Sequence, residues 1–485
     1  MADSRKIIKN IASLLFSGFF AQLVNFLVIL YLARLMGPDG FGKINFAMAV
    51  AVYFTLATTM GLTTLGIREV ARAPSSAGAL FVPVTQLRLA LFVVLYALLA
   101  AALPFAGQPR DIGSLILLFS LAVLPAVFQP DWLFQGLEEM EYVGAGRLAY
   151  SLSYAALVLF FIKNARQMLF VPLCQLAAMS ASVGLLLVIY VRRHGMFKIC
   201  WEPNRMMRLA RESAHLGFST LLIQAINNIG VVMMGLYGLV AGVGYYNASY
   251  KIIASIALAG SVYFDAVFPV TANLYKTSLE RLGRFQSRTL KLVGLFTLPI
   301  GVGGVLLSGK IIAFFYGPAY APSAGVFGLL CWLPFIVFLN TVYARGLWAC
   351  DGQAAYLRIV LVQVAVNLGC NLALIPHFGM YGVAAANICA ELSGFMFYHG
   401  EFNKIVRVPA GAALLKPLLA SCGMGAVLQT AKLLLPGAHV FLLIALGAAC
   451  YAMIILAIGG LKWYTVRDFV ATIVKKKAQT GGGTP

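Results

Sequence analysis

Acidic side chains are scarce in this sequence. Sixteen Asp and Glu stand against 36 Lys and Arg in 485 residues, and charged residues of both signs make up only 11%. A water-soluble chain carries about a quarter, so composition excludes an ordinary soluble globular protein. Paired cysteines are also missing. The eight cysteines (174, 200, 331, 350, 370, 389, 422 and 450) are scattered, with no C-x-x-C pair, which excludes a disulfide framework or zinc site. The five histidines do not cluster either. No triad pattern or pair of carboxylates facing an extramembrane pocket appears, so no catalytic residue, metal site or enzymatic activity is assigned. Segments of about ten residues with alternating polarity are absent, which excludes an outer-membrane barrel.

What is there is apolar. Hydrophobic residues reach 61%, and mean hydropathy is +0.88. Runs of 18 or more apolar residues recur, each long enough for a hydrocarbon core of about 30 Å. The class is an all-α integral membrane protein. Fourteen helices are expected, over 10–36, 43–67, 80–103, 112–129, 145–162, 168–191, 212–237, 243–269, 288–309, 322–344, 355–375, 380–399, 414–435 and 438–461. The first run, from Ile11 to about Leu35, exceeds a signal-peptide core and lacks a small-residue cleavage site, so a retained helix is expected.

The net charge of +20 is resolved by its placement. With the N-terminus in the cytoplasm, 27 of the 36 basic residues fall in cytoplasmic segments and five in outer ones. That split follows the positive-inside rule and puts both termini in the cytoplasm. The charge reads as topology and contact with membrane lipids, not as a nucleic-acid footprint.

The longest basic connection, 192–213, separates an N-terminal lobe (1–191, helices 1–6) from a C-terminal lobe (214–400, helices 7–12). Helices 13–14 (401–461) and a cytoplasmic tail (462–485) follow. An internal echo supports the division. FGKINFAMAV (41–50) and VGYYNASYKI (243–252) both carry G-x-x-N, as Gly42/Asn45 and Gly244/Asn247, 202 residues apart. Parallel repeats of this kind place a transport site between halves, near mid-depth.

GVLLSGK (304–310) matches the start of a phosphate-binding loop, but Ile311 replaces the magnesium-binding Ser/Thr and no strand precedes it. Glu138, Glu139 and Glu141, beside Trp132, read as a solvated cytoplasmic loop. Polarity within the spans is more informative. Asn247, Lys251 and Ser255 share one face of the eighth span. Lys251 lies eight residues in, or about 12 Å deep, where a charge costs several kcal/mol without a partner or an aqueous cavity. Asp265 follows on nearly the same face. Gln363, Asn367 and Asn371 line the eleventh span, Asn387 and Glu391 the twelfth, and Gln224, Asn227 and Asn228 the seventh. The first span offers Ser17, Gln22, Asn25 and Arg34. Intramembrane amides also simply join helices, Arg34 can snorkel outward, and Arg88 can mark a later start of the third helix.

Three stretches carry a resemblance. YLARLMGPDGFGKINFAMAVAVYFTLATTMGLTTLGIREVAR (31–72), VGYYNASYKII (243–253) and NLALIPHFGMYGVAAANICAEL (371–392) resemble bacterial polysaccharide-biosynthesis flippases of the O-antigen type, within the multidrug/oligosaccharidyl-lipid/polysaccharide transporter superfamily. The resemblance implies two six-helix lobes around a central cavity that opens alternately to each side. It also implies an undecaprenyl-pyrophosphate-linked oligosaccharide as cargo, moved from the cytoplasmic to the periplasmic leaflet of the bacterial inner membrane. On that basis Lys251 and Arg34 are expected to hold the pyrophosphate, and Asn25, Asn228, Asn247, Gln363 and Asn367 the glycan. Glu391 or Asp265 would be an H+ or Na+ coupling site, and no other cofactor is implied. Glycan polymerase and ligase of the same pathway are the implied protein partners. The alternatives are a multidrug exporter of the same superfamily and a flippase for a peptidoglycan-type or teichuronic-type precursor. A membrane glycan polymerase or ligase would need a large outer loop, which is missing.

Overall fold

The structure is a computed structural model that describes residues 2–197 and 202–460. Part of the basic linker (198–201), the last residue of the final expected span (461) and the tail (462–485) lie outside the described residues, as does the side chain of Asn227. Seventeen α-helices are found among the described residues. They are α1 (Ala2–Thr59), α2 (Leu62–Arg72), α3 (Ala77–Ala102), α4 (Arg110–Leu121), α5 (Leu124–Val127), α6 (Asp131–Gly136), α7 (Met140–Phe161) and α8 (Phe170–His194). Then come α9 (Pro203–Leu236), α10 (Val240–Thr277), α11 (Leu279–Tyr316), α12 (Ser323–Leu330), α13 (Leu333–Ala349) and α14 (Gln353–Phe378). The chain closes with α15 (Met380–Asn403), α16 (Ala410–Leu434) and α17 (Val440–Ala457). Eleven stretches among the described residues are long and apolar enough to cross a membrane. This is a multi-pass membrane protein.

Several expected boundaries move, each for a backbone reason. The spans expected at 10–36 and 43–67 form one helical element, Ser17–Thr59 counting as one crossing stretch. It is interrupted at Gly37 (φ 67°, ψ 178°), just before Pro38, a conformation that only glycine adopts readily. It ends at Thr59, earlier than expected, because Met60 and Gly61 turn the chain with positive φ. The expected 112–129 and 322–344 are each broken, with Pro125 and Pro334 opening the second piece, where the missing N–H costs least. Arg88 does not mark a later helix start, since α3 begins eleven residues earlier and buries it to 2% exposure. Glu138 is exposed in the turn after α6, but the neighbouring Trp132 is no part of a solvated loop. Trp132 is 1% exposed within an apolar core with Leu65, Val84 and Leu186, and Glu139 pairs with His194 at 3.2 Å.

The chain separates into two compact units, residues 1–251 with 363–387, and residues 252–362 with 388–485. In the first, α7 packs between α1 and α8, and α9 lies along α1. Here the sequence echo finds its physical meaning. A Cβ on Gly42 would stand 2.0 Å from the carbonyl oxygen of Val240, and one on Gly244 would stand 2.0 Å from that of Pro38. Each contact maps onto the other by the same 202-residue offset. Asn45 donates to Phe41 O at 2.8 Å and Asn247 to Val243 O at 3.0 Å, again matched. G-x-x-N is therefore a helix-crossing device that appears once on each of the two crossing helices. Small residues let helix backbones touch where lipid gives no hydrophobic drive.

In the second unit, α11 packs along α16, with α12, α13 and α17 against it. GVLLSGK lies inside α11, so it is no phosphate loop. Lys310 instead donates to Pro436 O (2.8 Å) and Ala438 O (2.9 Å), and Lys432 donates back to Leu306 O (3.0 Å). A second core gathers Phe264, Tyr343, Tyr398 and Phe402.

Candidate functional site

A polar cavity of about 340 Å³ opens within the first unit, among helices that carry crossing stretches. Its wall takes Thr55 from α1, Asp131 from α6, Arg147 and Tyr150 from α7, Gln175 from α8, and Gln129 from the turn before α6. Local sequence explains the arrangement. On α7, Gly146, Arg147 and Tyr150 fall on one side, and on α8 the residues Gln175, Met179 and Ser182 follow i, i+4, i+7. Ser182 Oγ donates to Gly146 O at 2.8 Å, which fixes α8 against α7.

Asp131 is the unusual member. Burial pushes its carboxyl above the usual range, opposed by the Gln129 amide and the charges of Arg147 and Arg88. Asp131 Oδ1 and the side-chain Oε1 of Gln129 are buried without a hydrogen-bond partner among the described residues. Behind the cavity, the buried Arg88 donates to Thr63 Oγ1 at 2.8 Å. A space lined with amide, hydroxyl, carboxyl and guanidinium groups can bind a hydroxyl-rich or anionic headgroup.

All seven residues expected to bind substrate belong to this same unit. Asn25 reaches across to Ser151 Oγ at 3.3 Å. Asn228 donates to Gln224, one turn earlier, at 3.3 Å. Asn247 is buried and bonded within its own helix, Gln363 is buried, Lys251 is part-buried, and Arg34 is exposed. Asn367, expected at the glycan, is 1% exposed and donates to Asn387 Oδ1 at 2.9 Å. Asn387 in turn donates to Tyr246 Oη at 2.7 Å, and Asn371 donates to Asn367 Oδ1 at 2.9 Å. That buried chain joins α10, α14 and α15, so Asn367 serves helix packing.

Both residues expected at a coupling site lie in the second unit, each already engaged. Asp265 is held by Arg345 at 2.6 Å, and Glu391 Oε2 accepts from Asn340 Nδ2 at 2.6 Å.

A family model described as polysaccharide biosynthesis protein matches residues 7–275, more than half of the chain. The chain belongs to that family. The "Putative O-antigen transporter" of Escherichia coli (strain K12) is 23% identical over 79% of this chain and 94% of its own length. The "Probable flippase AglR" of Haloferax volcanii is 26% identical over 47% of this chain and 50% of its own. Among solved structures, "Lipid II flippase MurJ, inward closed conformation" superposes with a TM-score of 0.71 at 14% identity, over 90% of this chain and 97% of that one. An inward-facing multidrug resistance MATE family transporter gives 0.63 at 15% identity, over 79% and 95%. At these identities the likeness is one of fold.

In this polysaccharide biosynthesis protein, the cavity residues Gln129, Asp131, Arg147 and Gln175 escaped the sequence reading. Arg147 falls just inside the expected span 145–162, and Asp131 sits beyond the end of the expected span 112–129. The signal available was Arg88. An arginine in the middle of an apolar helix requires polar company, and Asp131 is one of the charges that act on it.

Proposed function

We propose that the protein is a flippase that moves an undecaprenyl-pyrophosphate-linked oligosaccharide from the cytoplasmic to the periplasmic leaflet. The observation that carries this reading is the polar, arginine-bearing cavity within a body of membrane-crossing helices, in a member of the polysaccharide biosynthesis family. The names of the relatives, an O-antigen transporter and flippases, support the cargo class.

In this scheme fourteen spans form two six-helix lobes plus a C-terminal pair, with both termini cytoplasmic in the inner membrane. The lobes expose the site alternately to each side. Arg147 and the cavity amides meet the sugar hydroxyls, and Lys251 with Arg34 meets the pyrophosphate, while the polyprenyl chain stays in lipid. No covalent chemistry is required. An inside-negative potential assists outward movement of an anion by about 2.3 kcal/mol per charge per 100 mV, with H+ or Na+ exchange as a further drive. Polymerase and ligase of the pathway would receive the product.

The test is surface glycan in cells dependent on this protein, at matched protein abundance. Arg147→Ala and Lys251→Ala are each expected to cut export at least tenfold. Normal export by both variants refutes the anion-binding scheme. Titration of the purified protein with a lipid-pyrophosphate sugar and with a cationic dye separates it from a drug exporter, which would prefer the dye.

A further inference from the structure

The second unit holds a larger cavity, of about 630 Å³, that no part of the flipping scheme uses. It is lined by the first turns of α11 (Glu280, Gly283, Arg284, Arg288) and by the connection from α15 to α16 (Val406, Arg407). Gly283 lets the two segments meet, since a Cβ there would stand 2.9 Å from Val406 and 3.3 Å from Arg407 O. Three guanidinium groups thus face one space. Glu280 pairs with Arg284 at 3.2 Å. Arg288 and Arg407, both exposed, have no ion-pair partner among the described residues.

What lies beyond the arginines matters as much. Arg284, Arg288, Leu292 and Phe296 follow one another at i+4 along a single ridge of α11. Leu292 is 38% and Phe296 70% exposed. The ridge passes from cationic to bare apolar over eight residues, about 12 Å. That is the profile of one lipid molecule, with a phosphate at the arginines and a hydrocarbon chain along Leu292 and Phe296. The positive-inside tendency accounts for basic residues on this side, but not for their convergence on a cavity with an apolar track leading from it.

We propose that this cavity is a binding site for the phosphate headgroup of an anionic lipid, separate from the polar cavity of the first unit. Two arginines without acid partners present planar donor forks to phosphate oxygens, and the first turn of α11 adds its N-terminal dipole.

The experiment uses the full-length protein in nanodiscs that contain phosphatidylglycerol diluted in phosphatidylcholine, with retained lipid counted by native mass spectrometry. Selective retention of phosphatidylglycerol is expected. Arg288→Ala/Arg407→Ala should lower it about 25-fold, from roughly fivefold per surface arginine. Arg281→Ala, on the same helix but outside the cavity wall, should leave it unchanged. Inorganic pyrophosphate, added in excess, identifies the source of the phosphate. Displacement of the lipid marks the site as one for a diphosphate head, and resistance marks it as one for a phospholipid. Equal retention of both phospholipids, or wild-type retention by the double variant at an unchanged thermal midpoint, overturns the proposal.

Discussion

Adding one methyl group at Gly42 tests the crossing of α1 and α10 directly. The new Cβ of Gly42→Ala would lie 2.0 Å from Val240 O, 2.9 Å from Val240 C and 3.1 Å from Gly244 N. Optimal contact for carbon is about 3.5 Å or more, so the helices must part by over roughly 1 Å. All three atoms are backbone, and none can swing away as the end of a flexible side chain could. A gap of about 1 Å forfeits up to half of each dispersion contact across the crossing. Overpacking costs typically about 1–3 kcal/mol, and a backbone-to-backbone clash belongs at the upper end, near 3. Gly244→Ala should cost the same, because its Cβ meets Pro38 O at an identical 2.0 Å. The double variant should cost much less than the sum, since one separation relieves both clashes. The assay is the thermal midpoint of the detergent-purified protein, with Gly309→Ala as control, where no atom lies within 4 Å of the added Cβ. Wild-type midpoints for both single variants, or fully additive losses, would refute the reasoning.

Asp131 gives a pH signature. Its carboxyl titrates higher folded than unfolded, so its contribution is fully present below the unfolded value and is lost as pH rises through the folded one. Asp131→Asn should therefore be more stable than wild type above that range and equal to it below, as measured by thermal midpoints across pH; a constant difference would exclude this cause. The Asp265–Arg345 pair has an acid 70% exposed, so Asp265→Asn should cost under about 1 kcal/mol. If that variant instead abolishes export while folded, Asp265 is a coupling residue. Glu391→Gln keeps an acceptor for Asn340 and should retain the wild-type midpoint, whereas Glu391→Leu should lose about 1–3 kcal/mol. A change in the pH dependence of export by Glu391→Gln would reveal proton coupling. Asn387→Ala strands Tyr246 Oη and the Asn367 amide, for a loss of about 1–2 kcal/mol in the same melting assay.

The membrane class, the helical order and the crossing glycines were readable because each rests on local pattern. An apolar run, a proline or a repeated G-x-x-N needs no knowledge of distant partners. Interior polar residues were harder. Asn367 was expected at the substrate and is engaged with Asn387, while Arg147 went unnamed and yet lines the cavity. At a distance of twenty residues along the chain, nothing in the sequence says that Asn367 will find Asn387. Arg147 and Asp131 belong to different helices, and only the packing of α6 against α7 brings them to one cavity. Asp265 and Glu391 show the same limit, since their partners Arg345 and Asn340 lie 80 and 51 residues away. Side-chain chemistry was legible, but its pairing was not.

Lys310 and Lys432 fasten α11 to α16 from opposite directions, each ammonium closing onto carbonyls of the other's neighbourhood. Pro436 O and Ala438 O lie in the connection between α16 and α17, outside any helical ladder, and here a side chain of α11 closes them. The last two helices are thus latched to α11 rather than hung on as an appendix. Removing them would strip α11 of its latch as well as of the apolar cover given by Met424, Leu428 and Leu443. Whatever excursion α11 makes, the C-terminal pair must ride with it.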